Sequence, residues 1–172
     1  PTRDGIIYAL KKMGAKIFLD NKRYINNEIV YDLEVESTNL NGCELNSDIA
    51  KLMIDEYPIL SVAASFAKSP SVFRGLGELR VKESDRLELI FANLRSCGVN
   101  CEIKDDDLFI YPENNYQVKN REIITKFDHR IAMAFTVMGT RIGDLKINEA
   151  ECINTSFPSF INEFVKSGGL IN

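Results

Sequence analysis

Several features of membrane and secreted proteins are missing from this sequence of 172 residues. It has no run of about 18 consecutive apolar residues, the length that a membrane-spanning helix needs, so we expect no contact with a membrane. No charged segment followed by an apolar one opens the chain, so no secretion signal is visible. The chain begins at Pro1 rather than at an initiator methionine, which we interpret as a sign of a fragment from a longer protein. A chain of this length still buries roughly two thirds of its unfolded surface, so we expect a core.

The sequence also lacks a basic excess and any cysteine pairing typical of zinc sites. Lys and Arg number 21 against 25 Asp and Glu, a net charge of −4, which argues against a nucleic-acid partner. The four cysteines form no CxxC pair and His129 is the single histidine, so we expect no metal site. Scattered cysteines are typical of a reducing compartment, so we expect a cytoplasmic protein. Any bound anion must then be held by a local cluster of cations.

What the sequence does contain is an internal repeat. A helical stretch, a glycine and a short apolar stretch follow one another at residues 10–17, 94–101 and 164–171. Helical spacing is clearest upstream of the second copy, where apolar residues at 87, 90, 91 and 94 form one stripe. Each glycine suits the left-handed position just past a helix end. The three are Gly14, Gly98 and Gly168.

A second pattern occurs twice, at residues 55–64 and 128–135. After a charged first turn both stretches are almost wholly apolar and rich in small residues, which predicts buried helices. A strand candidate follows each, at 71–74 and 145–148.

Strand pairs lie between the two kinds of helix. We predict hairpins of residues 16–19 with 23–25 around 20–22, and of 99–104 with 108–111 around 105–107.

These patterns divide the chain into two similar units, at about 1–80 and 81–155, with a third only begun where the chain stops. Each unit is predicted as amphipathic helix, hairpin, strand, buried helix and strand. The fold class is therefore α/β, a layered repeat with buried helices inside and sheets outside. We treat residues 1–172 as a single domain.

Residues 80–86 hold three cations and two acids in seven positions. We predict a helix from Ser84 to Cys97, with Ser84 as its N-cap. Lys82 and Arg86 are then close to one another at a helix N-terminus, where free N–H groups favour an anion. The alternative is a solvated helix start with ordinary surface ion pairs.

The two buried helices also begin with charged residues. Arg130 needs either an acidic partner or an anionic ligand, because arginine is rarely buried alone. Asp55 occupies the place in the first unit that corresponds to Asp128 in the second, and simple capping would also explain an acid there. His129 is a weaker candidate for a base, since a lone histidine is more often structural. Thr155 at the last helix start and Arg3 at the first are further candidates, with capping and surface exposure as the alternatives.

If the units pack around a common axis, these helix starts converge on one face. Carboxylates for acid and base work beside several cations suit a dianionic substrate and a proton transfer.

Four segments together resemble the 5-enolpyruvylshikimate-3-phosphate synthase family. Residues 79–87 (Leu-Arg-Val-Lys-Glu-Ser-Asp-Arg-Leu) are similar to its signature, 128–133 (Asp-His-Arg-Ile-Ala-Met) to a second landmark and 55–60 (Asp-Glu-Tyr-Pro-Ile-Leu) to a third. Residues 152–160 resemble its C-terminal landmark. They stand in the family's order, and the similarity covers essentially the whole chain.

The resemblance implies the two-domain enolpyruvyl transferase fold, in which each domain has three βαβαββ units and the active site lies between the domains. This chain would be most of the C-terminal domain, and the absent N-terminal domain of the same chain would be its partner in a full-length monomer.

The implied reaction transfers the enolpyruvyl group of phosphoenolpyruvate to the 5-hydroxyl of shikimate 3-phosphate and releases phosphate, with no cofactor and no metal. By matched position, Asp55 would bind shikimate 3-phosphate and deprotonate or orient its hydroxyl, and Lys82 would contact the same substrate. Glu83 would transfer the proton. Arg86 and Arg130 would bind phosphoenolpyruvate.

One position departs from part of the family: Thr155 stands where some members have lysine, a form that resembles the branch often tolerant of glyphosate. Two other functions stay open. One is a related enolpyruvyl transferase that acts on UDP-N-acetylglucosamine, and the other is a non-catalytic anion-binding domain.

Overall fold

The first repeat unit is a helix, a hairpin and a buried helix flanked by two short strands. The computed structural model describes residues 4–113 and 116–171. The elements of the first unit are α1 (Gly5–Lys12), β1 (Lys16–Ile25), β2 (Glu28–Glu36), β3 (Glu44–Leu45), α2 (Ser47–Met53), a 3₁₀ turn (Ile54–Glu56), α3 (Tyr57–Ser65) and β4 (Ser71–Phe73).

After a 3₁₀ turn (Gly77–Val81), the described residues of the second unit repeat this order without a counterpart of α2, which confirms the predicted α/β repeat. It contains α4 (Arg86–Ser96), β5 (Asn100–Lys104), β6 (Asp107–Tyr111), β7 (Glu122–Ile123), α5 (His129–Ile142) and β8 (Lys146–Ile147), and the chain continues through a 3₁₀ turn (Ala150–Thr155) to α6 (Phe160–Lys166).

The two units share one sheet, with strand order β3-β4-β6-β5. β3 and β4 of the first unit run parallel, with Glu44 opposite Val72. β4 then pairs antiparallel with β6 of the second unit, so the second hairpin extends the sheet of the first unit. In the second unit β7 and β8 form the corresponding parallel pair.

The first hairpin differs from the prediction. Strand β1 continues through residues 20–22 and takes up its extra residues in a shift of register between Asp20 and Arg23, where Asn21 is left-handed with φ of 51°. The chain reverses instead at Asn26 and Asn27, whose φ angles of 50° and 64° are both left-handed. Two successive left-handed residues match the twist of paired strands, and asparagine tolerates that conformation better than most residues. The turn therefore lies where the backbone can adopt it, not at the most polar segment.

The second hairpin is confirmed, with a tighter turn than predicted. Asp107 is already the first residue of β6 and pairs with Lys104, so the loop is Asp105 and Asp106 alone. Asp105 is left-handed, with φ of 55°.

The buried helices α3 and α5 pack together through small and apolar side chains. Leu60 and Ala64 of α3 and Ala134 and Phe135 of α5 are fully or almost fully buried in one continuous core. Pro58 stands in the first turn of α3, where its missing N–H costs no helical hydrogen bond. The packing brings the charged starts of the two helices to the same side of the core.

The helix ends confirm the repeated glycine. Gly14, Gly98 and Gly168 have φ of 91°, 86° and 95°, directly after the ends of α1, α4 and α6. The start of the last helix was predicted wrongly. Residues 150–155 form a 3₁₀ turn in which the Thr155 hydroxyl donates to the carbonyl of Cys152, and α6 begins only at Phe160.

No membrane-spanning helix is found in the part of the chain that the structure describes. None of its helices is both long enough and apolar enough to cross a bilayer.

Candidate active site

The Arg86 guanidinium lies at the centre of the charged helix starts and is almost completely buried, with 1% of the side chain exposed. Nε donates to Oδ2 of Asp128 at 2.7 Å, and Nη1 donates to Oδ1 of Asp55 at 2.9 Å. Nη2 donates to Oε2 of Glu83. One planar cation thus joins three carboxylates from three separate segments of the chain.

Asp128 is a fully buried member of this cluster. From the sequence it was recognised only as part of a helix start. Oδ1 accepts hydrogen bonds from the backbone N–H groups of Arg130 and Ile131, at 3.0 and 3.4 Å, and so caps α5. Oδ2 accepts from the Ser84 hydroxyl at 2.9 Å as well as from Arg86. The signal in the sequence was an aspartate directly before an apolar helix, which indicates a cap but not the cation it holds.

The N-cap of helix α4 lies one residue later than predicted. It is Asp85, whose side chain accepts from the N–H of Glu88 at 2.9 Å. Ser84 was predicted for this role, but its hydroxyl is engaged by Asp128. The shift makes Arg86 the first helical residue, from where its side chain enters the core.

Lys82 lies beside the cluster and is held chiefly by Glu78. Its Nζ is 2.5 Å from Oε1 of Glu78 and 3.8 Å from Oδ1 of Asp55. The hydrogen bond to Glu78, with a smaller contribution from the charge of Asp55, raises the pKa of the Lys82 ammonium. Lys82 therefore keeps its positive charge. Sequence reasoning missed Glu78, which stands outside the motif that contains Lys82.

Arg130 reaches across from α5 to the turn before α3. Its Nη1 donates to the backbone carbonyl oxygen of Asp55 at 3.0 Å, and its Nη2 lies 3.7 Å from Oδ2 of the same residue. Nη1 is also 3.5 Å from Oε1 of Glu56, a second residue that the sequence analysis did not select. Asp55 does not cap α3, so the capping alternative is wrong for this residue.

A groove of about 180 Å³ opens beside these side chains, between α3, α5 and α6. Its polar end is formed by Asp55, Glu56 and Arg130, and its apolar wall includes Met133 and Phe160. Arg130 is 29% exposed and Asp55 25% exposed, so both present part of their surface to a ligand, in contrast to Arg86.

The structure therefore brings together the five side chains to which the family resemblance gave roles: Asp55, Lys82, Glu83, Arg86 and Arg130. His129, the first residue of α5, is half-buried. Arg3 lies outside the described residues. Within those residues, no group of three or more His, Cys, Asp or Glu side chains is arranged to hold a metal ion.

The charges of the cluster do not favour an anion. Three cations (Lys82, Arg86, Arg130) face five carboxylates, those of Asp55, Glu56, Glu78, Glu83 and Asp128. An anion reaches Arg86 only if Asp55 or Glu83 moves away, because the guanidinium is enclosed. This arrangement can hold carboxylates for proton transfer, but it needs further cations to bind a substrate that carries several negative charges.

The chain matches a known protein family over most of its length. The family model for EPSP synthase (3-phosphoshikimate 1-carboxyvinyltransferase) matches residues 1–164. The chain belongs to the EPSP synthase family. It is 44% identical over 162 residues to the 3-phosphoshikimate 1-carboxyvinyltransferase of Paramagnetospirillum magneticum, a match that covers 94% of this chain and 36% of the relative.

Solved structures agree with the family at the level of the fold. The EPSP synthase of Acinetobacter baumannii superposes with a TM-score of 0.92 and 35% identity, over 100% of this chain and 40% of that one. The enolpyruvyl transferase NikO from Streptomyces tendae has the same fold, with a TM-score of 0.67 at 15% identity over 99% of this chain and 36% of that one. The chain thus spans little more than a third of the length of the EPSP synthases it matches.

Proposed function

We propose that these 172 residues are part of an enzyme that transfers the enolpyruvyl group of phosphoenolpyruvate to the 5-hydroxyl of shikimate 3-phosphate and releases phosphate. The observation that carries the proposal is the cluster itself: Asp55 and Glu83 both accept hydrogen bonds from Arg86, and Arg130 donates to the backbone carbonyl oxygen of Asp55. These side chains come from three motifs far apart in sequence. Membership of the EPSP synthase family supports the choice of substrates. We place the enzyme in the cytoplasm, as the unpaired cysteines suggest.

The chemistry requires two proton transfers, for which the cluster offers two carboxylates. In the addition step, Asp55 takes the proton of the 5-hydroxyl while the hydroxyl oxygen bonds to the central carbon of phosphoenolpyruvate. In the same step Glu83 gives a proton to the methylene carbon. In the elimination step, Glu83 takes a proton back from that carbon, the C–O bond to phosphate breaks with its electron pair, and Asp55 returns the hydroxyl proton to the leaving phosphate. Because Arg86 donates to both carboxylates, it fixes their spacing before the substrates arrive.

The three cations have different parts in this proposal. Lys82, close to Asp55, neutralises shikimate 3-phosphate. Arg130 is the cation most open to phosphoenolpyruvate, since its guanidinium lines the groove. Arg86 contacts phosphoenolpyruvate only after a carboxylate moves away, so in the arrangement seen here its first role is to organise Asp55 and Glu83.

We further propose that the chain is one domain of a longer monomeric polypeptide. In the shared sheet, β4 of the first unit pairs with β6 of the second. If every unit pairs with its neighbour in this way, β8 pairs with the hairpin of a further unit and β2 pairs with the last strand of another unit. Within the described residues β2 pairs only with β1, and Tyr24, Leu33 and Val35 of this hairpin are 68%, 53% and 59% exposed. Exposed apolar side chains beside open strand edges need a cover.

The excess of carboxylates leads to a test on the isolated chain. The rest of the polypeptide must supply cations, so the 172 residues alone are expected to show no turnover and no saturable binding of phosphoenolpyruvate. Half of a preorganised site loses both orientation and charge stabilisation. Robust phosphate release by the isolated chain would contradict this part of the proposal.

The activity itself is tested with the full-length protein that contains these residues. Phosphate release from phosphoenolpyruvate is measured with shikimate 3-phosphate and, separately, with UDP-N-acetylglucosamine as acceptor. We expect turnover with the first acceptor only. Thermal protection by both substrates of the reaction is a second readout, since a ligand that binds only the folded state raises Tm. If the protein shows neither turnover nor thermal protection, the proposed activity is wrong and a non-catalytic domain is the remaining interpretation.

The residue roles are tested in the same protein. Asp55→Ala, Glu83→Ala and Arg130→Ala are each expected to lower kcat/KM by about 10³-fold or more. Glu163→Ala is the matched control, because Glu163 is an exposed carboxylate paired with Lys166 on α6. Near-normal rates in all three site variants would refute the assigned roles.

A further inference from the structure

Asp128 is a fully buried carboxylate that serves two separate parts of the site with its two oxygens. Oδ1 accepts from the N–H groups that open α5, including that of Arg130. Oδ2 accepts from Arg86 Nε and from the Ser84 hydroxyl. It takes no part in the proton transfers described above, yet it is among the most completely enclosed charges of the described residues.

We propose that Asp128 is a positioning residue for the enolpyruvyl transfer, which acts through Arg86 on the two carboxylates of the reaction. This inference rests on the proposed function. Asp128 is not itself a catalytic residue, because it is fully buried and does not line the groove.

The geometry of the guanidinium carries the argument. Its five N–H donors lie in one plane in a fixed fork, so the direction of Nε determines the directions of Nη1 and Nη2. Asp128 holds Nε at 2.7 Å, and the fork then points one amino group at Asp55 and the other at Glu83. Without that anchor the plane rotates about the side chain, and the spacing of the two carboxylates is no longer set.

Stability alone does not explain why a charged, buried carboxylate stands at position 128. A buried ion pair is weak evidence of stabilisation, since desolvation of both charges offsets most of their attraction. A neutral serine or asparagine would cap α5 equally well. What those residues cannot provide is a charged acceptor for Arg86 Nε.

The experiment uses the full-length enzyme with Asp128→Asn and Asp128→Ser. Both replacements are good N-caps, so the start of α5 is preserved while the anchor of Arg86 is removed. The matched control is Asp85→Asn, which changes the capping aspartate of the neighbouring helix α4, a residue that contacts Arg80 rather than Arg86. For each variant kcat and the KM of both substrates are measured, together with Tm.

We expect kcat of both Asp128 variants to fall about 100-fold, a loss that misplacement of reacting groups by about 1 Å can produce, while both KM values change less than about threefold. Asp85→Asn should keep kcat within about twofold. In a double-mutant cycle, Asp128→Asn should lower kcat no further in an Arg86→Gln background, because its effect passes through Arg86. A structural role would instead lower Tm without this selective, non-additive loss of kcat.

Retention of normal kcat by a folded Asp128→Asn enzyme overturns the inference, as does an additive double mutant. If neither Asp128 variant folds, Arg86→Lys decides, because it leaves the cap of α5 intact but replaces the fork by a single ammonium. The inference then requires the same fall of about 100-fold in kcat, and a loss below about threefold overturns it. Wild-type turnover tests the proposed function separately, so an active wild type beside an equally active Asp128→Asn leaves that function standing.

Discussion

Nη1 of Arg130 donates a hydrogen bond of 3.0 Å to the backbone carbonyl oxygen of Asp55, a residue 75 positions earlier in the chain. The bond ties the first turn of α5 to the 3₁₀ turn before α3. Both ends of this contact belong to the candidate active site, so the two buried helices fix the site through their starts rather than through their apolar faces. Nη2 of the same arginine lies 3.7 Å from Oδ2 of Asp55, and the Arg130 side chain also lines the groove.

The first prediction concerns that fork. Arg130→Lys in the full-length enzyme should raise the KM for phosphoenolpyruvate about 10- to 100-fold, because an ammonium cannot hold the Asp55 carbonyl and a carboxylate or phosphate together. Steady-state kinetics with a fixed concentration of shikimate 3-phosphate measures the change. Arg95→Lys is the control, since Arg95 contacts Asn100 at the far end of α4. An unchanged KM in Arg130→Lys would remove phosphoenolpyruvate from the neighbourhood of Arg130.

The second prediction compares two glycines at equivalent helix ends. Gly14 and Gly98 have similar left-handed φ angles. A Cβ on Gly14 would lie 3.7 Å from the nearest atom, the Nδ2 of Asn41, whereas a Cβ on Gly98 would lie 2.5 Å from the backbone oxygen of Gln117. Gly14→Ala should therefore cost about 1–2 kcal/mol of unfolding free energy from backbone strain alone, and Gly98→Ala about 1–3 kcal/mol more from the clash.

Urea unfolding of the full-length protein, followed by far-UV circular dichroism, measures both costs. Equal losses for the two variants would mean that the segment at Gln117 moves away from the end of α4 without penalty.

The third prediction tests where the first hairpin turns. Asn27→Gly should leave stability unchanged or raise it by about 0.5 kcal/mol, because glycine adopts the left-handed turn conformation at no steric cost. Lys22→Gly should lower it by about 0.5–1 kcal/mol, since residue 22 lies within strand β1. The same urea titration reads both, and the opposite ranking would support a turn at residues 20–22.

The fourth prediction concerns alkaline pH. Burial raises the pKa of the Cys97 thiol from 9.0 to about 11 and that of Cys101 from 9.0 to about 12. Above pH 9 the unfolded thiols ionise while the folded ones keep their protons. Stability is therefore fully present below pH 9 and is lost as pH rises towards 11 and 12, by up to about 1.4 kcal/mol per pH unit for each thiol.

Unfolding free energies under reducing conditions, at about pH 8 and about pH 10.5, measure this loss. The Cys97→Ala/Cys101→Ala double variant should be less stable at the lower pH but should lose distinctly less between the two. Identical losses in both proteins would show that other groups control the alkaline behaviour.

Much of the fold followed from patterns within a few residues. The positive φ of Gly14, Gly98 and Gly168 was predictable because a helix end needs a residue without a side chain there. The first hairpin was misplaced for a related reason. The polar segment at residues 20–22 indicates a turn as strongly as Asn26 and Asn27 do, and only the pairing of β1 with β2 selects between them.

By itself, the sequence determined the repeat, the buried helices and the five charged residues of the candidate site, because spacing and residue type act locally along the chain. Only the tertiary structure decided how those charges are partnered. Asp128 as the anchor of Arg86, Glu78 as the partner of Lys82 and the enclosure of Arg86 all depend on which elements pack together. Arg86 and Asp128 are 42 residues apart, and no local rule pairs a cation with a carboxylate over that distance. Burial requires this pairing, because a guanidinium is removed from water only where hydrogen-bond acceptors are available to it.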